Sequence, residues 1–461
     1  MPMSEKKSQK LQHLKTGGFE RRWSLAKASI VAGTRFATSS ASTMFSNEAT
    51  RELKRKQSLG EQAEYLVNEM GKLKGSIVKI GQMMALYGEH FLPDEVTRAF
   101  HQLNDNTIAL EWSTIEEHLK SQLGEKRFND LIIDHEPLGA ASLAQVHRAR
   151  RKSDGTELVL KIQYPGVADA IDSDLSLVTQ MMRFARVVPQ TREFDEWLDE
   201  VRLMMHREVN YPQEMETTRL FKEHLKHDER YIVPKVYPDY STPHIIAMSY
   251  EHGVPINSNA IMTLSQERRN KLAEASLEIC CREVFEWGEM QTDPNFGNYL
   301  VRLGDGDTVP DKIILLDFGA VRDFPEDLLE LARNFTKASV TRNKEMMLAA
   351  MHGFSFLDAM PVEVKNGISE LFFLAVEPFT DLKDAPPEAV TADGRYIWAK
   401  SNLHNRVMIK AAKSASNRHF SVPPKELMFI SRKFVGAYTF MTVIDAQVDG
   451  QKLLAPFLAK F

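Results

Sequence analysis

An α+β protein in two lobes, with a helical extension ahead of them, is what three textures along the chain predict. Apolar residues recur at three- and four-residue steps from Leu53 to Phe100. From Pro137 small and β-type residues take over, in two runs parted by Ser153-Asp154-Gly155. After Leu264 the helical pattern returns and holds to the end, except between Asp293 and Val321, where loop and strand alternate. Strands first and helices afterwards make an α+β chain rather than a βαβ one.

Each element follows in order. Pro93 marks a break near the end of the first helical stretch, and the polar Asn104-Asp105-Asn106 separates it from a short helical region around Ile115 to Leu123. Leu138–Arg150 and Glu157–Tyr164 read as a hairpin across the Asp154-Gly155 turn. A helical zone runs from Val167 to about Phe221, interrupted near Pro189-Gln190 and bent at Pro212. Two extended pieces, Tyr231–Pro234 and His244–Tyr250, precede Gly253. The texture thus assigns 1–50 to a basic arm, 51–130 to the helical extension, 131–253 to the first lobe and 254–461 to a helical second lobe.

A chain of 461 residues, 43% hydrophobic and 26% charged, can bury two or three cores. That balance excludes collagen, coiled coil and wholesale disorder. The net charge of −5 points to no nucleic-acid partner, although residues 1–60 hold twelve Lys and Arg against four Asp and Glu. The segment has no secretory apolar core, and Glu5 and Glu20 are out of place in an acid-poor mitochondrial presequence, so it is expected to be retained. No run approaches the roughly 18 apolar residues of a spanning helix. Ala28–Thr34 is closed by Lys27 and Arg35, while Ser29, Gly33, Ala37 and Ala41 recur at every fourth position. The arm reads either as mobile or as an anionic membrane-surface element, and Phe19 and Trp23 beside Arg21 and Arg22 favour the surface. Cys280 and Cys281, the two cysteines, are adjacent, a spacing that suits neither disulfide nor zinc. A reducing, cytoplasmic setting, peripheral at the inner membrane surface, is the expectation.

The densest chemistry is Gln291-Thr292-Asp293-Pro294-Asn295-Phe296-Gly297-Asn298, followed by an apolar strand ending in Asp317-Phe318-Gly319. An Asp, an Asn five residues on, and a strand closing in Asp-Phe-Gly is the protein-kinase order: Asp293 orients the attacking oxygen, while Asn298 and Asp317 hold Mg²⁺. Metal there neutralises the γ-phosphate and takes oxygen ligands. Upstream, Val159-Leu160-Lys161-Ile162 sets Lys161 opposite Leu158, Leu160 and Ile162, in the position of the lysine that bridges the α- and β-phosphates. Glu208 is the expected carboxylate partner, with Glu214 second and Glu200 third. All of these groups are expected to meet around the triphosphate of one ATP between the lobes, with ADP as the alternative nucleotide.

The preceding loop, Gly139-Ala140-Ala141-Ser142 through Val146, offers one glycine where a kinase loop has three, so alanine Cβ atoms limit how closely the backbone nears phosphate. Pro325-Glu326-Asp327-Leu328 reads as a helix start only a few residues beyond Asp317-Phe318-Gly319, which leaves no long activation segment on which to dock a peptide. A small acceptor or water is the expected phosphate recipient.

Lys79-Ile80-Gly81-Gln82, the alanine-rich loop, Lys161, Glu208, Asp293, Asn298 and Asp317 together resemble the UbiB/AarF atypical kinases, over roughly residues 20–455. Lys161-Ile162-Gln163-Tyr164-Pro165-Gly166-Val167 is similar to the branch of coenzyme Q accessory kinases. The resemblance implies an atypical protein-kinase-like fold, ATP and Mg²⁺, and support of ubiquinone biosynthesis beside quinone-pathway lipids or enzymes. It also implies that Lys79 and Gln82, one helical turn apart, regulate access to the site and block protein substrates. Met248 is aligned with the back of the adenine pocket. Gly139 stands where the family often has Ala, which bears on the choice between ATP and ADP. Asn210 stands where it often has Asp, which bears on a metal or hydrogen-bond role. Two other functions stand beside the enzyme: a nucleotide-gated binding module for quinone precursors or enzymes, and a protein kinase acting in trans.

Overall fold

The structure, a computed structural model, describes residues 48–73, 75–88, 92–103, 109–188, 190–293, 295–306, 308–352, 355–358, 360–415 and 425–460. The basic arm to residue 47, with Phe19, Trp23 and the small-residue ridge, lies outside the described residues, as do Asn104-Asp105-Asn106, Pro189 and Pro294. Contacts divide the chain into two units: residues up to Glu216 with Lys235–Tyr250, and Thr217–Pro234 with the chain from Glu251. The helices of the extension and the first sheet fall in the same unit.

In the first unit, helices α1 (Glu48–Leu73), α2 (Ser76–Tyr87), α3 (Asp94–Phe100) and α4 (Trp112–Asn129) precede strands β1 (Leu131–Ile133), β2 (Gly139–Ala140), β3 (Ala144–Arg151) and β4 (Glu157–Gln163). The helical stretch that reads as continuous breaks at Gly75, whose φ of +62° a side chain would resist, and again at Pro93, which caps α3. The Val167–Phe221 zone is three helices: α5 (Val167–Phe184), α6 (Arg192–Glu208) and α7 (Tyr211–His224). Pro212 bends nothing, since it lies in the first turn of α7, where a missing N–H costs no hydrogen bond.

The sheet of this unit is antiparallel in the order β1-β3-β4-β6, with β6 spanning Ile245–Ser249 and β2 paired to β3. The hairpin expected from the sequence is β3–β4, with Val146 opposite Lys161. Leu158, Leu160 and Ile162 are fully buried on one face of β4. Each such side chain contributes roughly 1.5–3 kcal/mol by leaving water. Helix α2 packs on α5 and α6, burying Ile77, Ile80 and Met84, and the Ser76 hydroxyl donates to the buried Asp174 carboxylate on α5.

The second unit holds β5 (Tyr231–Ile232), β7 (Val254–Pro255), helix α8 (Gln266–Arg282), β8 (Glu289–Gln291), β9 (Tyr299–Arg302), β10 (Lys312–Leu315) and β11 (Val321–Asp323). One sheet runs β5-β10-β9-β7, with β5 and β10 parallel, and β8 pairs with β11 in a separate ribbon. Helices α9 (Glu326–Val340), α10 (Lys344–Met351), α11 (Val362–Ala375), α12 (Leu403–Ala415), α13 (Lys425–Val443) and α14 (Gly450–Leu458) follow. A π-helical turn, Glu283–Trp287, joins α8 to β8, a rare geometry that is frequent at functional sites.

Candidate functional site

In the first unit the alternation of β4 turns Lys161 away from its buried neighbours, and Lys161 Nζ lies 2.6 Å from Glu214 Oε1. Glu214 is 3% exposed, and the Tyr211 ring lies 5.4 Å from the ammonium. Glu208, the carboxylate expected on Lys161, is instead 2.6 Å from Lys79. The physical reason is the turn between the two helices. Glu208 is the last residue of α6; the chain then reverses at Val209, whose carbonyl accepts from the buried Gln163 amide at 2.6 Å. Asn210 caps α7 through its side chain, accepting from Gln213 N at 3.2 Å, and its carbonyl accepts from Glu214 N. An Asp would cap as well, so Asn210 keeps the role that sets Glu214 in place. Gln82 follows Lys79 by one turn on α2 and is half-buried.

The alanine-rich loop is edge strand: Gly139 pairs with Val146 and Ala140 with Gln145, and Ala141 N donates to Ala144 O at 2.7 Å. Ser142 is buried. A Cβ built on Gly139 would meet nothing within 4 Å, so the backbone does not demand glycine there. Met248 is buried beside Tyr211, Val236 and Ile246, with Val159 packed against them.

In the second unit, Asp293 and Asp317 lie at the two ends of a laced segment. Gln291 Nε2 donates to Asp317 O, Gln291 Oε1 accepts from Asp293 N at 3.0 Å, and Thr292 Oγ1 donates to Ala320 O at 2.7 Å. Asn298 Nδ2 donates to Asp293 Oδ2 at 3.0 Å, which leaves the amide oxygen as the atom Asn298 can offer a cation. Asp317 Oδ1 accepts from Gly319 N at 2.9 Å. Asn298 and Asp317 line one small cavity with Gln291, Tyr299, Glu283 and Lys433. An amide oxygen and a carboxylate form a hard-oxygen donor set that fits magnesium, which takes its other ligands from phosphates and water. Among the described residues there is no cluster of three or more His, Cys, Asp or Glu that could hold a metal.

Phe318 is buried against Phe221, with ring centroids 4.8 Å apart, and Phe221 meets Trp287 edge-on. In the wall of that cavity, Lys433 on α13 lies 2.7 Å from Glu283, and both are almost wholly buried. Burial alone would drive the Lys433 ammonium down, but Glu283 and Tyr299 reverse this and hold it above the ordinary lysine range. Burial pushes the Cys280 thiol up to about 11 and the Tyr299 hydroxyl up to about 12. Nothing in the sequence singled out Lys433, because Ser431 and Arg432 beside it give that turn of α13 the look of a solvated face.

A strand that alternates around its lysine, a loop–strand–Asp-Phe-Gly order and two α+β units together define an atypical protein-kinase-like fold. A family profile described as the ABC1 atypical kinase-like domain matches residues 102–351, and the chain belongs to that family. It is 29% identical to the mitochondrial atypical kinase COQ8 of Schizosaccharomyces pombe, over 86% of this chain and 63% of that protein. It is 29% identical to zebrafish (Danio rerio) COQ8B over 84% and 59%, and 28% identical to Saccharomyces cerevisiae COQ8 over 86% and 75%. The chain thus spans about 60% of the length of the first two. The solved structure of Rv3197 with erythromycin from Mycobacterium tuberculosis matches at a TM-score of 0.56 and 22% identity, over 89% of this chain and 97% of that one, which shows the fold. Among the described residues no helix is long and apolar enough to cross a membrane.

Proposed function

We propose that the chain binds ATP or ADP with Mg²⁺ and is an ATPase or small-molecule kinase that supports ubiquinone biosynthesis, acting on a small or lipid-like acceptor or on water rather than on proteins. Lys161, braced by Glu214, serves the α- and β-phosphates under the loop from Gly139 to Val146. Asn298 and Asp317 hold the magnesium, which neutralises charge on the transferring phosphoryl group. Asp293 orients the attacking oxygen. Quinone-pathway lipids or enzymes are the partners, met at an anionic membrane surface through the basic arm.

The observation that carries this reading is the shortness of the path after Asp317. Strand β11 pairs at once with β8, and helix α9 begins at Glu326, so the segment that would seat a peptide in a protein kinase is missing. The COQ8 names of the relatives support the quinone assignment.

The test is ATP turnover by the purified chain, with and without anionic liposomes and a phenolic acceptor, beside Asp293→Asn. The expected result is Mg²⁺-dependent turnover that the acceptor or liposomes raise and the variant loses. Nucleotide binding with no turnover under any condition would instead favour the nucleotide-gated binding module, and robust phosphorylation of a generic protein would favour a protein kinase.

A further inference from the structure

The transfer segments carry no cation of their own. Between Gln291 and Leu300, and between Ile313 and Val321, there is neither Lys nor Arg. Arg322, just beyond, lies over the Phe429 ring at 3.7 Å from its centroid. Charge that develops on a transferring phosphoryl group needs a preorganised cation beside the attacking oxygen as well as the metal. Helix α13 brings one. Arg432 places a guanidinium nitrogen 3.6 Å from Asp293 Oδ1, while Asn298 holds the other carboxylate oxygen. At that separation the guanidinium attracts the Asp293 carboxylate through space.

The position of Arg432 is fixed from both sides along its helix. Lys433, next in sequence, is locked to the buried Glu283, and Phe429, one turn earlier, takes Arg322 of β11. Strand β11 pairs with β8, which leads directly into Asp293. Helix α13 is therefore tied to the segment on both sides of Asp293, to Glu283 before β8 and to Arg322 on β11, and Arg432 is carried on a fixed base.

We infer that Arg432 is a further residue of the transfer site, an arginine finger supplied in cis by α13, whose planar fork spans Asp293 and a γ-phosphate oxygen. The inference rests on the nucleotide reading above. In the step it serves, the acceptor or water oxygen forms a bond to the γ-phosphorus as the bond to the β,γ-bridging oxygen breaks. ADP leaves with that electron pair, and the acceptor proton passes by way of Asp293 to solvent.

The experiment compares the parent chain with Arg432→Ala, Arg432→Gln and Arg432→Lys. It measures turnover, KM for ATP, affinity for Mg²⁺–ADP with and without aluminium fluoride, and the unfolding midpoint. Arg432→Ala is expected to keep its Mg²⁺–ADP affinity and its KM within about twofold. It should lose turnover by about 10³-fold and affinity for the aluminium fluoride complex by about 10²-fold. Arg432→Lys should recover part of both, since it restores charge without the fork. Should Arg432→Ala unfold, Arg432→Gln carries the same comparison. Variants that turn over and trap aluminium fluoride like the parent overturn the Arg432 assignment alone, and a parent that binds no nucleotide overturns the reading beneath it.

Discussion

Two lysine–carboxylate pairs, one in each unit, have nearly the same geometry and different work. Lys161 and Glu214 are 2.6 Å apart, Lys433 and Glu283 2.7 Å. Burial separates them: Lys161 is 20% exposed on β4, and Lys433 is 5% exposed in the wall of the cavity that Asn298 and Asp317 line. A lysine that keeps one side toward solvent can exchange water for phosphate at little cost. One enclosed with Cys280 and Tyr299 can only hold its helix. Chemistry at a site is thus not assigned by an ion pair alone but by which partner stays within reach of a ligand.

The largest expected effect tests the enclosed pair. Lys433→Met leaves the Glu283 carboxylate buried without its ammonium, and removing one member of such a pair costs about 3–5 kcal/mol. Urea unfolding should show that loss, and Lys433→Met with Glu283→Leu should recover most of it. A single-variant loss below about 1 kcal/mol would mean the pair is far wetter than its exposure implies.

The open pair gives a smaller stability effect and a larger functional one. Glu214→Gln is expected to cost about 1–3 kcal/mol and to weaken MgATP binding about tenfold, a change of 1.4 kcal/mol. Glu208→Gln should leave MgATP affinity unchanged. Nucleotide titrations of both variants decide between the carboxylate the structure places on Lys161 and the one the sequence order favours. The reverse ranking would dissolve the distinction between the two pairs.

That choice marks the limit of what was legible in the chain. The β4 alternation, the Asp154-Gly155 hairpin, the strand into Asp317 and the helix start at Pro325 could be read because each depends on a few adjacent residues. The partner of Lys161 could not, because Glu208 and Glu214 flank one turn, and which of them faces β4 depends on Gln163, at the end of β4, gripping the Val209 carbonyl more than forty residues away. The breaks inside the helical zones were blurred for a related reason: Gly75 carries no periodicity, and Pro212 looks alike inside a helix and at its start. Lys433 and Arg432 were invisible, since a distance of more than a hundred residues separates them from Glu283 and Asp293.

The smallest effects concern the third pair, Lys79–Glu208, whose members are 24% and 36% exposed. A pair so wet contributes under about 1 kcal/mol, so Lys79→Ala should barely move the unfolding midpoint. The placement of α2 rests instead on the glycine two residues on. A Cβ on Gly81 would lie 2.2 Å from Leu103 Cδ1 and 3.3 Å from both Met70 Cε and Phe100 Cδ1. The Leu103 side chain can swing, but Met70 and Phe100 are buried and have little room. Overpacking of this kind costs about 1–3 kcal/mol, against about 1 kcal/mol returned by the better helix propensity of alanine. Gly81→Ala should therefore destabilise by about 1 kcal/mol, more than loss of the Lys79 charge. Thermal unfolding of the two single variants side by side makes the ranking visible, and a larger loss from Lys79→Ala would show that the ion pair, rather than the close helix contact, holds α2 in place.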